Sequence, residues 1–458
     1  MLFVIAFSLY FYYKSAAEYC FILLGVCVSD YLLGISMERT AHKAVRRLIV
    51  AINVTINVGM LVYFKYFNLL FETIANFAKI DFDPLDIVLP AGISFFTFRS
   101  ISYIVDIYRG QIKACHNFMS YTFYLTFFPP LLAGPVVRAK DMLPQIEANP
   151  VATKAMVSEG LFLIMCGLVK KVIVADYISQ NFVDRIFDNP TLYSGFENLI
   201  GMYGFAIQLY CDFSGYTDMA IGLALLMGYR FLDNFRSPFK SQNPTEFWHR
   251  WHISLSTWLR DYVYIPLGGN RCGRVRHHFN QMCTMVIGGL WHGASWMYMI
   301  WGALHGSFLI IHKELRRMAM RRRNNEYDPD LPAEFAEPER PSKMRVAVNI
   351  FLTFNLIAAT FIFFRASDMQ TATDIFTQLI TNIHSDVAWQ FITGYMMIFI
   401  AMALGFAMHF APKRWTRVLK KTYARTPLLL QALVLAIILF LIIQVRSSEI
   451  VPFVYLQY

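Results

Sequence analysis

Five apolar runs, at residues 47–71, 199–228, 346–364, 392–411 and 428–444, are each long enough to cross a bilayer as a helix, which takes roughly 17–25 residues. Hydrocarbon offers no water to a backbone amide, so a crossing segment must satisfy its own N–H and C=O groups. That restricts the fold to helices or a closed barrel, and runs of this length read as helices. Composition agrees: 56% hydrophobic and 16% charged residues leave too little charge to cover a soluble chain of 458 residues. The expected fold class is all-α, a polytopic membrane protein. The opening "MLFVIAFSLYFYY" lacks the basic start and small-residue cleavage site of a signal peptide, and reads as the remainder of a membrane helix.

A net charge of +10 raises the question of nucleic acid. The positive residues, however, gather in short loops between apolar runs, which is what membrane orientation requires. "MERTAHKAVRR", "DIYRGQIKACHN", "HKELRRMAMRRRNN" and "PKRWTRVLKKTYAR" are basic, whereas "FETIANFAKIDFDPLD" and "NFVDRIFDNPTLYSGFEN" are acidic. This alternation puts the basic loops in the cytoplasm and both termini outside, in a multi-pass protein of the cell inner membrane. Its partner is the lipid bilayer, with no nucleic acid. Residues 316–342 read as a cytoplasmic loop rich in Pro, Glu and Arg. The seven cysteines are scattered without a CxxC pair, so neither a metal site nor a disulfide framework is expected.

Several apolar stretches are not plain spans. Pro90, Gly92 and Arg99 lie in one, Pro129, Pro130, Gly134 and Pro135 in a second, and Gln208, Asp212 and Asp218 in a third. Irregular backbone and charge at that depth survive only where protein or a wet cavity covers them. A bundle enclosing a polar cavity follows.

Common catalytic signatures are missing: there is no G-x-S-x-G, no H-E-x-x-H, and "GGNRCGR" lacks the G-K-[ST] ending of a phosphate loop. Histidines and buried carboxylates remain. His292 lies in "GGLWHGASW", where an imidazole at membrane depth is a functional candidate and suits a general base near neutrality. Its flanking glycines would let a substrate or another backbone approach. The competing reading is a histidine hydrogen-bonded between helices. His249 and His252, three apart, would share a helix face, beside Trp248 and Trp251 and a Glu246–Arg250 pair. The competing reading there is an interfacial helix anchored by Trp and Arg. For Asp212 and Asp218 with Gln208, the favoured reading is structural: capping of a helix broken near Ser214–Gly215, or pairing with Arg250 or Arg260.

"EFWHRWHISLSTWLRDYVYIPLGGNR" followed by "GGLWHGASWMYMIWGALHG" resembles the membrane-bound O-acyltransferase family, closest to the branch of alginate O-acetyltransferase membrane subunits and their polysaccharide-acetylating relatives. "GISFFTFRSISYIVDIYRG", "FFPPLLAGPVVRAKDMLPQI", "QLYCDFSGYTDMAIG" and the ending "PFVYLQY" match that branch too. The resemblance begins near Tyr31; ahead of it, a further membrane helix usual in the family is short or missing. It implies one membrane domain over residues 1–458, with about eleven transmembrane helices plus re-entrant helices around a central tunnel. It puts the family's buried histidine at His292 and its second position at His252.

The implied activity is transfer of an acyl group, acetyl above all, from a cytoplasmic donor to hydroxyls of an exported cell-surface polysaccharide. Transfer is direct or through an extracytoplasmic acetyltransferase partner. No bound cofactor is expected; acetyl-CoA or an acylated carrier protein is the donor substrate. Trp251, Ser254, Arg260, Arg271, Arg274, Trp291, Gln208, Asp212 and Asp218 are the candidate donor and tunnel residues. D-alanine transfer toward teichoic acid and an acyl-group transporter without chemistry are the alternatives. The orientation is directly testable with single cysteines and a membrane-impermeant thiol reagent on intact protoplasts. Positions in 39–47, 313–323 and 413–425 should resist labelling, and positions in 81–86 and Tyr458 should react. Labelling within 413–425 would overturn the topology.

Overall fold

The computed structural model describes residues 1–323, 342–384, 386 and 388–445, and among them every regular element is a helix or helical turn. The chain opens with α1 (Leu2–Ala16), α2 (Cys20–Arg39), α3 (Lys43–Leu61) and α4 (Phe67–Ala78), and a π-helical turn, Val62–Tyr66, joins the last two. Next come α5 (Ile93–Tyr108), α6 (Phe118–Thr126) and α7 (Ala139–Glu147). A buried carboxylate ties four of these together: Asp30 accepts from Tyr121 at 2.6 Å, Asn53 at 2.7 Å and Ser100 at 2.8 Å.

The proline-rich stretch between α6 and α7 is irregular, as its sequence requires. Its carbonyls are covered by protein: the buried Arg99 guanidinium donates to Leu125 O at 3.3 Å and to Pro130 O. Gly92, with φ +73°, caps α5 where a Cβ would come within 2.6 Å of Leu131 O. Only glycine fits both the backbone angle and the gap.

The second group starts with α8 (Lys154–Leu168), a π-helical turn over Val169–Asp176, and α9 (Asp184–Asp188). It centres on α10 (Gly195–Leu226), a 32-residue helix opened by a Ser194–Glu197 capping box. Glycines let α8 and α10 touch backbone to backbone. A Cβ on Gly167 would stand 2.5 Å from Gly215 O, and one on Gly222 would stand 2.6 Å from Gly160 O.

That contact corrects the expectation for the buried carboxylates. α10 runs unbroken through Ser214 and Gly215. Asp212 pairs with Lys171 at 2.6 Å and Asp218 with Lys170 at 2.7 Å, while Arg250 pairs with Glu246 and Arg260 with Asp261. Close approach at the glycines brings both lysines within reach of α10.

The remaining helices are α11 (Pro244–Arg250), α12 (Ile253–Leu259), α13 (Arg274–His292), α14 (Trp296–Arg323), α15 (Lys343–Arg365), α16 (Met369–Thr381), α17 (Ala388–Gly394), α18 (Met396–Phe410), α19 (Lys413–Arg425) and α20 (Leu428–Val445). Two expectations change here. The run 392–411 is not one straight span, because α17 and α18 meet at 82°. The expected loop at 316–342 is helical over its first residues, since α14 continues to Arg323; residues 324–341 and Tyr458 lie outside the described residues. α19 exposes Trp415, Val418 and Leu419 on one side and carries Arg414, Arg417 and Lys421 on the other, the pattern of a helix in the headgroup plane.

By apolar length alone, Leu2–Arg39, Lys43–Ala78 and Lys343–Arg365 can cross a membrane, and a fourth crossing results if the bent α17–α18 pair counts as one. Helices interrupted by polar residues, such as α10 with Gln208, Asp212 and Asp218, fall outside that measure. The α8–α10 contact makes a prediction. Gly222→Val should destabilise the fold by ~1–3 kcal/mol through overpacking, read as a lower melting temperature in detergent. Gly25→Ala, where a Cβ meets nothing within 4 Å, should be neutral or stabilising. Equal melting of the two variants would refute the close approach.

Candidate active site

The segment around His252 is built from two short helices and a deliberate break. Asn243 caps α11 by accepting from Glu246 N at 2.9 Å, and Pro244 occupies the first turn. Arg250 folds back on Glu246 at 2.6 Å, as the i, i+4 spacing predicts. Trp251 then turns extended, and His252 takes a left-handed conformation, φ +41° and ψ +56°, at the start of α12. His249 and His252 therefore do not share a helix face, contrary to expectation, because the helix ends between them. A left-handed backbone costs a non-glycine residue ~1–2 kcal/mol, and a strained residue of this kind marks a functional candidate.

A strap at residues 234–236 holds the break. Arg236 N donates to Arg250 O and Ile253 N to Asn234 O, both at 2.9 Å. The buried Asn234 side chain does more. Its Oδ1 accepts from Ser254 N at 3.1 Å and from Ser254 Oγ at 2.9 Å, and lies 3.1 Å from His252 Nδ1. A backbone N–H needs an acceptor, so this atom is the amide oxygen, and His252 must donate to it. In the neutral ring the proton is thus on Nδ1 and the lone pair on Nε2.

His292 ends α13. Both histidines are buried, His252 at 0% and His292 at 3% exposure. The His292 ring packs against Trp301 at 5.2 Å and Phe364 at 5.1 Å. Trp291 links the two sites, its ring 5.0 Å from His292 and 5.6 Å from His252. The last carbonyls of α13 are capped from the turn between α3 and α4. Tyr66 donates to Leu290 O at 2.7 Å, and Lys65 Nζ donates to Trp291 O at 2.7 Å and His292 O at 3.1 Å. The glycines flanking His292 admit a neighbour in the fold, since a Cβ on Gly289 or Gly293 would collide with Tyr298.

A cavity of about 400 Å³ lies between α11, α12, α13 and α14. Arg260, Lys313 and Arg316 line it with His249, His277 and His312. Trp248, Ile253 and Met285 also line it: Ile253 adjoins His252, and His292 lies two turns along α13 from Met285, ~10 Å. A smaller space of about 210 Å³ beside it holds Arg274, Lys313 and Arg317 near Glu314, which pairs with Arg274, with His278 at 3.0 Å and with Arg317 at 3.3 Å. Beyond the stacked Phe98 and Trp258 rings, 3.6 Å apart, a separate apolar cavity of about 860 Å³ borders Trp291.

The expected site residues divide accordingly. Trp291 joins the histidines, Arg260 lines the larger cavity and Arg274 the smaller. Arg271 is exposed and lines none of these cavities. Trp251 is core, stacked on Phe247 at 5.5 Å, and Ser254 is a lock, donating to Asn234 and accepting from Val136 N at 2.9 Å. Gln208 donates to Ser179 at 2.9 Å, and with Asp212 and Asp218 lies away from the three cavities. Sequence reasoning missed Asn234, Lys65, His277, His312, Lys313 and Arg316. A signal existed for Lys65, a cation inside an apolar run. Asn234 stands in "LDNFRSP", which has no periodicity to mark it.

A family model described as MBOAT, the membrane-bound O-acyltransferase family, matches residues 109–325. The chain is 34% identical to the probable alginate O-acetylase AlgI of Pseudomonas putida, over 98% of this chain and 93% of that one. It is 40% identical to the probable alginate O-acetylase AlgI of Pseudomonas aeruginosa, over 80% of this chain and 66%, just under two thirds, of the relative. It is 34% identical to the peptidoglycan O-acetyltransferase of Helicobacter pylori, over 80% of this chain and 71% of that one.

Proposed function

The chain belongs to the membrane-bound O-acyltransferase family, in the branch of the alginate O-acetylases, and is an O-acyltransferase; on that premise we propose that it carries acetyl groups from a cytoplasmic thioester to an exported polysaccharide. The acceptor is a hydroxyl of that polysaccharide or of an extracytoplasmic acetyltransferase that completes the transfer. The observation that carries this reading is the pair of buried histidines, one at each of two helix breaks, meeting around Trp291. Relatives named for alginate and for peptidoglycan share the acetyl group and differ in acceptor, which supports acetyl over D-alanyl here. The same reading keeps about eleven spans in the inner membrane and both termini outside.

In this mechanism His292 is the general base. As the acceptor oxygen attacks the thioester carbonyl, its proton passes to the imidazole. The C–O bond forms, the C–S bond breaks, and the departing thiolate takes up the proton. His252 has two conceivable roles, orienting a substrate or stabilising an oxyanion. The lone pair on Nε2 favours orientation, by accepting from a substrate N–H or O–H, because an oxyanion needs a donor. The proton on Nδ1 stays with Asn234.

The donor enters through the cavity between α11 and α14. Its Arg260, Lys313 and Arg316 suit a polyanionic phosphate ligand, which favours acetyl-CoA over an acylated carrier protein. Replacing Lys313 and Arg316 together with Gln should raise the apparent KM for acetyl-CoA several-fold while leaving kcat near normal, with a smaller effect at high salt. An unchanged KM at low salt would remove this cavity from donor binding.

The decisive test is on His292. Loss of a general base costs ~10²–10⁴-fold in rate, so His292→Ala and His292→Gln should both abolish acetylation while the protein still inserts. Glutamine keeps size and hydrogen bonding but cannot take the proton. The measurement is acetyl content of the exported polysaccharide per copy of membrane-inserted protein. Normal acetylation by His292→Gln would sink the catalytic role and favour a transporter.

A further inference from the structure

Apart from Arg47 at its edge, the run 47–71 contains one charged residue, Lys65. A cation inside a span is costly and persists only with partners. Among the described residues Lys65 makes no ion pair. Its ammonium donates to two backbone carbonyls, Trp291 O at 2.7 Å and His292 O at 3.1 Å, across 226 and 227 residues of sequence. The next side chain, Tyr66, donates to Leu290 O at 2.7 Å. Both residues close the π-helical turn Val62–Tyr66.

The target explains the arrangement. The last four carbonyls of a helix have no intrahelical donor, and they carry the negative end of the helix dipole. At the end of α13, Trp291 and His292 are buried, and Gly293, extended with φ −167°, leaves the helix without a turn of its own to close it. Lys65 and Tyr66 satisfy three of those four carbonyls, and the cation opposes the dipole.

We infer that Lys65 is a positioning residue for acyl transfer: by anchoring the final peptide groups of α13 it fixes where the His292 imidazole stands. The inference rests on the reading of His292 as the base. With the backbone pinned at Leu290, Trp291 and His292, only the two side-chain torsions of His292 remain, and Trp301 and Phe364 restrict those. Without the cap, the terminal turn of α13 frays, and the ring moves with it. A displacement of about 1 Å at a reacting group can cost ~10²-fold in rate.

The test compares Lys65→Met, Lys65→Arg and Tyr66→Phe by acetyl content of the exported polysaccharide per copy of inserted protein. Lys65→Met keeps the length and loses the charge; it should acetylate ~10–100-fold less than the parent at normal abundance. Lys65→Arg keeps a cation that can donate to both carbonyls and should restore at least about half the activity. Tyr66→Phe removes one hydrogen bond and should lower activity ~2–10-fold. Normal acetylation by Lys65→Met overturns the inference, as does a Lys65→Arg protein as silent as Lys65→Met at normal abundance. Should Lys65→Met fail to accumulate, Tyr66→Phe decides, and its normal activity is the refuting result. His292→Gln run in parallel separates the two readings. If it acetylates, the role of His292 falls and that of Lys65 with it; if it is silent while Lys65→Met is active, only the positioning role falls.

Discussion

An open backbone group in hydrocarbon is the constraint on which this structure turns. A site inside the membrane needs helix ends, and each end exposes amides or carbonyls that water cannot reach. Among the described residues, three such breaks near the site are closed by specific side chains. Arg99 covers the carbonyls of the proline-rich stretch, Asn234 and the strap at 234–236 hold the break at His252, and Lys65 with Tyr66 caps α13. Trp258 ties α12 to α5, its indole N–H donating to the mid-helix Phe98 O at 3.0 Å. These residues lie far apart in sequence from what they cover.

Packing follows from the same economy of space. Helices in lipid gain little from burying apolar surface against one another, so close contact depends on small residues and polar pairs. Gly160 and Gly167 against Gly222 and Gly215 bring α8 to α10, and Lys170 and Lys171 then neutralise Asp218 and Asp212. One apolar cluster gathers the helices before α8, and another gathers α10 with α14 to α18. A third, containing Phe98, Phe213, Trp258 and Trp291, lies where they meet. His252 stacks edge-on to Phe213 at 4.6 Å within that junction. His252 therefore sits where two separately packed halves touch.

Hydrogen-bond direction matters at the candidate site as much as position. Asn234 decides which nitrogen of His252 carries the proton in the neutral ring. His305 is fixed in the same way: Trp248 donates to its Nδ1 at 3.2 Å and Thr360 engages Nε2 at 3.0 Å. With both nitrogens held, that buried histidine is a brace between α11, α14 and α15.

The sequence by itself determined the membrane class and the loop charges and singled out His292 and His252 as candidates, because hydropathy, Lys/Arg content and a histidine in an apolar run are local properties. It also marked Arg99 and the proline-rich stretch as irregular. Local spacing misleads where the chain breaks its own period: a count of three puts His249 and His252 on one face, and a left-handed residue between two short helices is invisible to it. The partners of Asp212 and Asp218 were also out of reach, since two lysines more than forty residues upstream are chosen by a glycine contact between helices. Asn234, Lys65 and the cations of α14 acquired meaning only once folding set them beside His252, α13 and the cavity. Which groups meet across two hundred residues is a property of packing, and only the tertiary structure decides it.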